Sequence, residues 1–278
     1  MDRPVVAILG VRGMLGSDLS VACAQRGCEV RGFDLPEFDV TDVDQLKEAV
    51  GGADAVINCA AYTNVDGAQS ETELAHRVNA EAVGALGSLA RASGMWVLHF
   101  STDFVFDGSS DRPYVETDEP NPINEYGKSK LAGERLLVDS GCRCCIVRIE
   151  WTYGAHGNNF VTKIIARARQ GAALKVVDDQ VGAPTATTEV TALACELLDG
   201  RVEGLFHFAA AGYASRFEVA RFIVERCAPA VELSACSSSD FVTPAQRPLN
   251  SRFDCGKIQA RLEKPIRSWQ ETLESFLR

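Results

Sequence analysis

A tyrosine and a lysine stand four residues apart in NEYGKSKLAGER (124–135): Tyr126 and Lys130. On a helix, side chains at i and i+4 share a face, so this phenol and this ammonium can address one bound molecule. A phenol titrates near about 10, too high for ready proton exchange at neutral pH, and a neighbouring ammonium lowers that value by favouring the phenolate. A phenol so tuned can protonate a carbonyl oxygen while hydride arrives at its carbon. Thr102, in STD (101–103), adds a hydroxyl that can donate to the same oxygen. An exposed helix with an ordinary Tyr and Lys has the same local sequence, so the rest of the chain must decide between the two.

The stretch LGVRGMLG places Gly10, Gly13 and Gly16 in a G-x-x-G-x-x-G spacing, after a strand pattern and at the opening of a helix pattern. That context suits a dinucleotide. Gly10 allows a sharp turn, Gly13 lets a pyrophosphate approach the backbone, and Gly16 lets the helix pack close to the sheet. The helix N-terminus then offers unpaired N–H groups to the phosphates. Asp34 ends the second strand pattern, near the distance of roughly 20 residues expected of a ribose-binding acid. It favours the 2′-hydroxyl of NADH, whereas Arg12, inside the loop, suits the 2′-phosphate of NADPH. Both cofactors therefore stay open. Asp39, in FDVTD, falls near the expected adenine, and helix capping accounts for Thr41 or Asp42.

These residues need a frame. PVVAILG (4–10), CEVRGFD (28–34), DAVINCA (54–60), MWVLHFS (95–101) and CCIVRIEW (144–151) read as apolar strands, separated by helix patterns that include 42–50 and a long segment from about 71 to 93. Apolar strands alternating with helices predict an α/β fold, a doubly wound parallel sheet of the Rossmann type. After residue 150 helix patterns mix with short strands and Pro-, Ser- and Thr-rich loops. That texture predicts a dinucleotide-binding domain over 1–150 and a smaller α+β, mainly substrate-binding part over 151–278, with later segments free to return to the main sheet.

Composition bounds the partners. The chain has 278 residues, 46% hydrophobic and 24% charged, as in ordinary globular proteins. A net charge of −10 argues against nucleic acid and requires local cations for any anionic substrate. No apolar run of about 18 residues predicts a membrane span, and the N-terminus has no signal-peptide pattern. Ten cysteines and four histidines show no zinc spacing, so reduced thiols in a cytoplasmic protein are expected.

The glycine spacing, the STD stretch and Tyr126-x-x-x-Lys130, in that order, resemble the extended short-chain dehydrogenase/reductase family. Further stretches over essentially the whole chain resemble its dTDP-4-dehydrorhamnose reductase branch: NCAAYTNVDGAQSE, VNAEAVGALGSLA, HFSTDFVFDG, YGKSKLAGE, GNNF, DDQVGAPT and RPLNSRFD. The last two lie outside the cofactor core and are the more specific. The resemblance implies hydride transfer from NADPH or NADH to the C4 ketone of dTDP-4-dehydro-L-rhamnose, with Thr102, Tyr126 and Lys130 catalytic. It implies a cofactor site of Gly10, Arg12, Gly13, Met14, Leu15, Gly16, Asp34, Asp39, Val40, Ala60, Ala61, Tyr62, Tyr126 and Lys130. Thr63, Val65, Thr102, Asp103, Phe104, Trp151, Gln180 and Arg247 would contact the nucleotide-sugar, with Trp151 giving the deoxysugar a flat apolar face. Arg247 and Arg252 are cation candidates for its diphosphate, and Asn79 would support the catalytic lysine. Some members are magnesium-dependent dimers, which makes a homodimer an expectation. No cluster here establishes a metal site, although Glu71 and Glu73 lie close together.

The chain also departs from the branch. Leu9 and Met14 replace the usual Thr and Gln of the glycine loop. RIEWTY carries Ile149 and Glu150 where the family has Thr and Ser, and Glu150 is expected to add negative charge beside Trp151. Phe104 stands where nucleotide-sugar dehydratases carry the acid that helps eliminate water. The remaining alternatives are a reductase or epimerase of another nucleotide-sugar, and a non-catalytic regulatory subunit similar to the beta subunit of methionine adenosyltransferase.

Overall fold

The computed structural model describes residues 3–278. Its first half is built on β1 (Val5–Leu9), α1 (Met14–Gln25), β2 (Glu29–Phe33), α2 (Val43–Val50) and β3 (Ala55–Asn58). Then come α3 (Thr72–His76), α4 (Ala82–Ser93), β4 (Trp96–Thr102), α5 (Glu125–Asp139) and β5 (Cys144–Ile149). The five strands form a parallel sheet in the order β5-β4-β3-β1-β2, and the strand Gly204–Phe208 adds a sixth, parallel to β5. The chain leaves β1 for β2 on one side and returns to β3 on the other. Ligands of such sheets bind at that reversal, beyond the carboxyl ends of the strands.

The apolar runs of β1, β3, β4 and β5 are buried because helices cover both faces, while the edge strand β2 stays half-buried or exposed. One core packs β1, β3, β4 and β5 residues such as Ile8, Ile57, Leu98 and Val147 against Leu19 of α1 and against Val190, Leu193 and Leu197 of the helix Thr187–Gly200. The other face packs Leu9, Val56 and Val97 against Leu46, Leu86 and Leu137. A separate core joins Tyr153, Ile164, Ile223, Trp269 and Leu273. The later chain is thus divided: 187–208 lies on and in the main sheet, while flanking segments build the second core.

The segment expected as one helix from about 71 to 93 contains a π-helical stretch, Arg77–Glu81, between α3 and α4. Asn79 sits in it, fully buried. Asp42, rather than Thr41, caps α2 by accepting from the Asp44 and Gln45 amides.

The rotation of α5 is fixed by its own i+4 stripe. Tyr126, Lys130 and Glu134 share one face. Glu134 and Arg148 of β5 form a buried bidentate pair at 2.9 and 2.6 Å, which locks that face onto the sheet. Asn124 caps the helix through the Gly127 amide at 2.8 Å and donates to the Gln246 carbonyl, also at 2.8 Å.

Candidate active site

A cleft of about 780 Å³ opens above the ends of β1, β3, β4 and β5. The glycine turn forms one wall. Gly10 has φ +77, and a Cβ there would meet the Ala60 nitrogen at 2.7 Å, so only glycine lets this turn reach the chain after β3. Gly16 backs onto the Gly10 carbonyl, where a Cβ would sit at 2.1 Å; it packs behind the turn and does not line the cleft. Gly13 is the N-cap of α1 and supplies no side-chain cap, in contrast to Asn124 on α5. The first-turn amides of α1 are therefore left for an anion, which fits a dinucleotide pyrophosphate.

Arg12, Asp34, Asp39 and Val40 line the adjoining wall. Asp34 accepts from the Arg12 amide at 2.7 Å and from the Leu35 amide at 2.8 Å, which ties the glycine turn to the end of β2. The Arg12 guanidinium pairs with Glu37 at 2.7 Å. That bond holds the Glu37 carboxyl below its ordinary range and raises Arg12. Met14, Leu15, Ala60 and Ala61 also line the cleft. Tyr62 does not. Its amide donates to Asn79 Oδ1 at 2.8 Å and its hydroxyl donates to Glu71 at 3.0 Å, so it holds the wall from behind.

Thr102, Asp103, Phe104, Tyr126 and Lys130 converge on the same cleft. The Tyr126 ring packs edge-on against Phe104, with centroids 5.6 Å apart. Thr102 donates to Asp103 Oδ1 at 3.0 Å, and Ser251 donates to Asp103 Oδ2 at 2.5 Å. Burial raises the Asp103 carboxyl, with these two bonds opposing the rise.

The phenol and the ammonium differ from expectation. Tyr126 is pushed up to about 12, by burial first and by Asp103 second, with the Thr102 hydroxyl opposing. Lys130 is lowered to about 8 by burial. Its Nζ donates to the Phe100 carbonyl at 2.7 Å and lies 3.4 Å from His99 Nε2. Asn58 Oδ1 accepts from the Ala60 amide, so its NH₂ faces His99 Nδ1 at 3.1 Å. The Lys130 ammonium is thus engaged by the Phe100 carbonyl, and burial rather than the ammonium sets the Tyr126 phenol.

Asn79 is a second correction. Its amide bonds both backbone groups of Tyr62 and the Ser129 hydroxyl at 2.8–3.1 Å, not Lys130. It fixes the wall and α5 rather than the lysine itself. His99, one residue before the Phe100 carbonyl that Lys130 uses, takes the neighbouring place.

Thr63, Val65 and Trp151 line the far part of the cleft. Trp151 has φ +45, a left-handed conformation costly for a bulky side chain, about 1–3 kcal/mol. The Arg216 guanidinium lies over the indole, 3.5 Å from its centroid, so one face of the ring is covered by a cation instead of open to a sugar. Glu150 does not charge the cleft. Its carboxyl is buried, accepting from the Ala183 amide at 3.0 Å and the Phe253 amide at 3.4 Å. Burial, with Asp103, pushes it well above the usual carboxylate range. It clasps the DDQVGAPT and RPLNSRFD stretches together.

Three further candidates lie outside the lining. Gln180 donates to Ser238 at 2.9 Å. Arg247 forms a bidentate pair with Asp66 at 2.6 and 2.7 Å. Arg252 donates to Asn250 and to the Asp111 carbonyl. Sequence reading missed Arg216 and Phe160, which do line the cleft. Among the described residues no cluster of three or more His, Cys, Asp or Glu could hold a metal ion, and no helix is long and apolar enough to cross a membrane.

The chain matches the family described as RmlD substrate binding domain over residues 5–278. It is 38% identical over 274 residues to a dTDP-4-dehydrorhamnose reductase of Mycolicibacterium smegmatis, covering 97% of this chain and 84% of that one. It is 34% identical over 289 residues to the Escherichia coli enzyme of that name, covering 98% and 96%. The crystal structure of a dTDP-4-dehydrorhamnose reductase from Bacillus anthracis in complex with NADP superposes with a TM-score of 0.95 at 32% identity, covering 99% of each chain.

Proposed function

The chain belongs to the RmlD substrate binding domain family, and from that premise we infer that it reduces the C4 ketone of dTDP-4-dehydro-L-rhamnose to give dTDP-L-rhamnose, using NADPH or NADH. One observation carries the chemistry. Tyr126 and Lys130, on one face of α5, line the same cleft as the Gly10–Gly16 turn, with Thr102 beside them.

Bound at that turn, a reduced nicotinamide supplies hydride to the ketone carbon. The chain supplies the proton and the positioning. Tyr126, raised to about 12, carries its proton at neutral pH, which is the form that reduction consumes. Thr102 donates to the ketone oxygen by releasing Asp103, whose other oxygen stays held by Ser251. Lys130, anchored on the Phe100 carbonyl, supplies an ammonium to the cleft in which the phenolate is left. One hydride and one proton convert the ketone to the alcohol, and the phenol regains its proton from solvent.

The same proposal divides the chain by role: residues up to about 150 hold the dinucleotide, and the later segments around Trp151 hold the sugar nucleotide. It includes a cytoplasmic placement, supported by ten free cysteines, and a homodimer. The test is NADPH oxidation with dTDP-4-dehydro-L-rhamnose, with product identified as dTDP-L-rhamnose. Turnover is expected. Cofactor binding without turnover would favour the regulatory-subunit alternative.

A further inference from the structure

Three cationic side chains line the cleft: Arg12, Lys130 and Arg216. Two are engaged with the protein, Arg12 by Glu37 and Lys130 by the Phe100 carbonyl. Arg216, the first residue of the helix Arg216–Cys227, is not. Among the described residues its only hydrogen bond as a donor runs from its backbone N–H to the Gln180 carbonyl at 3.1 Å. Its guanidinium is stacked 3.5 Å from the Trp151 centroid and 4.9 Å from that of Phe160. Stacking fixes the plane and leaves the N–H edge free.

The nearby carboxyls do not take that edge. Asp103 is occupied by Thr102 and Ser251, and Glu150 by the Ala183 and Phe253 amides. Arg247 opposes Arg216 electrostatically and is itself paired with Asp66, next to the cleft-lining Val65. Burial lowers Arg216 only to about 10, with Asp103 and Glu150 opposing the fall, so it remains charged at neutral pH. A partly desolvated guanidinium with its edge unspent needs an anion to restore what hydration supplied. On a chain of net charge −10, a doubly charged ligand needs such a point of attraction.

We propose that Arg216 binds the diphosphate of the nucleotide-sugar, through the edge of a guanidinium held flat on Trp151. The planar fork matches phosphate oxygens two at a time. Trp151 thereby orients the cation, which gives its left-handed backbone a purpose. The choice of ligand class rests on the reductase proposal.

Calorimetry with dTDP, on protein saturated with NADPH, tests it in wild type, Arg216→Ala and Arg216→Lys. Arg216→Ala should weaken dTDP by about tenfold or more, with NADPH affinity and unfolding temperature unchanged. Arg216→Lys should recover part of the loss, because charge returns without the planar fork. Unchanged dTDP affinity in Arg216→Ala would overturn the proposal. Parallel loss of dTDP and NADPH affinity would also overturn it, making Arg216 a structural counter-ion. Turnover is not the readout. Binding through Arg216 without ketone reduction would sink the reductase proposal alone, and reduction with dTDP binding indifferent to Arg216 would sink this one alone.

Discussion

Lys130 lies one helical turn from Tyr126 on α5, and its ammonium donates to the Phe100 carbonyl at 2.7 Å, backward into the sheet. The two groups therefore titrate apart, the lysine lowered to about 8 and the tyrosine raised to about 12. Burial disfavours the ammonium, while Glu134 and Cys59 favour it. Reduction requires a proton on both groups. The kcat for reduction should stay level through neutral pH and fall along one limb as pH rises past about 8. A pH–rate profile at saturating cofactor and sugar checks this, and a flat profile to about pH 10 would remove Lys130 from the chemistry.

A depressed lysine is also a cost to the fold. Its charged form is disfavoured in the folded state, so the cost is fully present below about 8 and fades as pH climbs toward the ordinary value of 10.5. Lys130→Met should abolish activity yet stabilise the protein at neutral pH by up to about 3 kcal/mol, less the lost hydrogen bond to Phe100. Urea unfolding near neutral pH and near pH 10 reads the sign: the advantage of the methionine variant should shrink at the higher pH.

Glu150 has the opposite linkage. A carboxyl raised well above 4.5 on folding stabilises nothing by being ionised. As pH rises above about 4.5 the unfolded chain ionises and the folded one resists, so wild type loses stability. Glu150→Gln keeps an acceptor for the Ala183 amide and should equal or exceed wild type at neutral pH, with the gap closing on acidification. Glu150→Ala leaves that buried amide unpaired and should cost about 1–3 kcal/mol. Thermal unfolding of both variants across pH decides it.

Cofactor choice should turn on the Arg12–Glu37 pair. Both side chains are exposed, and Glu37 competes with any 2′-phosphate for the guanidinium. Glu37→Gln should improve NADPH affinity relative to NADH several-fold, about tenfold at most at low salt. Arg12→Ala should shift the ratio the other way. Dissociation constants from nucleotide fluorescence quenching measure both. An unchanged ratio would place the 2′-position elsewhere.

Much of this was legible in the chain. Strands β1, β3, β4 and β5 fell on apolar runs, because strands covered on both faces must be apolar, whereas β2 at the edge is only partly covered. The i+4 spacing put Tyr126 and Lys130 on one face, and Glu134 extended that stripe to the buried Arg148. Other features were not legible because they depend on contacts between distant segments. Arg216 reads as a surface helix residue until the strand Ala214–Ser215 pairs with Val181–Gly182 and brings it over Trp151. Glu150 reads as a charge in the pocket until the amides of Ala183 and Phe253 turn it inward. The phenol's upward shift could not come from spacing, since it depends on how deeply the ring is buried and on where the ammonium finds its acceptor.

The central claim is that Tyr126 gives the proton. Tyr126→Phe removes one oxygen and leaves the ring packed on Phe104. Single-turnover NADPH oxidation with saturating dTDP-4-dehydro-L-rhamnose should slow by about 100- to 10,000-fold, while the NADPH dissociation constant stays as in wild type. A rate within about tenfold of wild type, with cofactor binding intact, would contradict it.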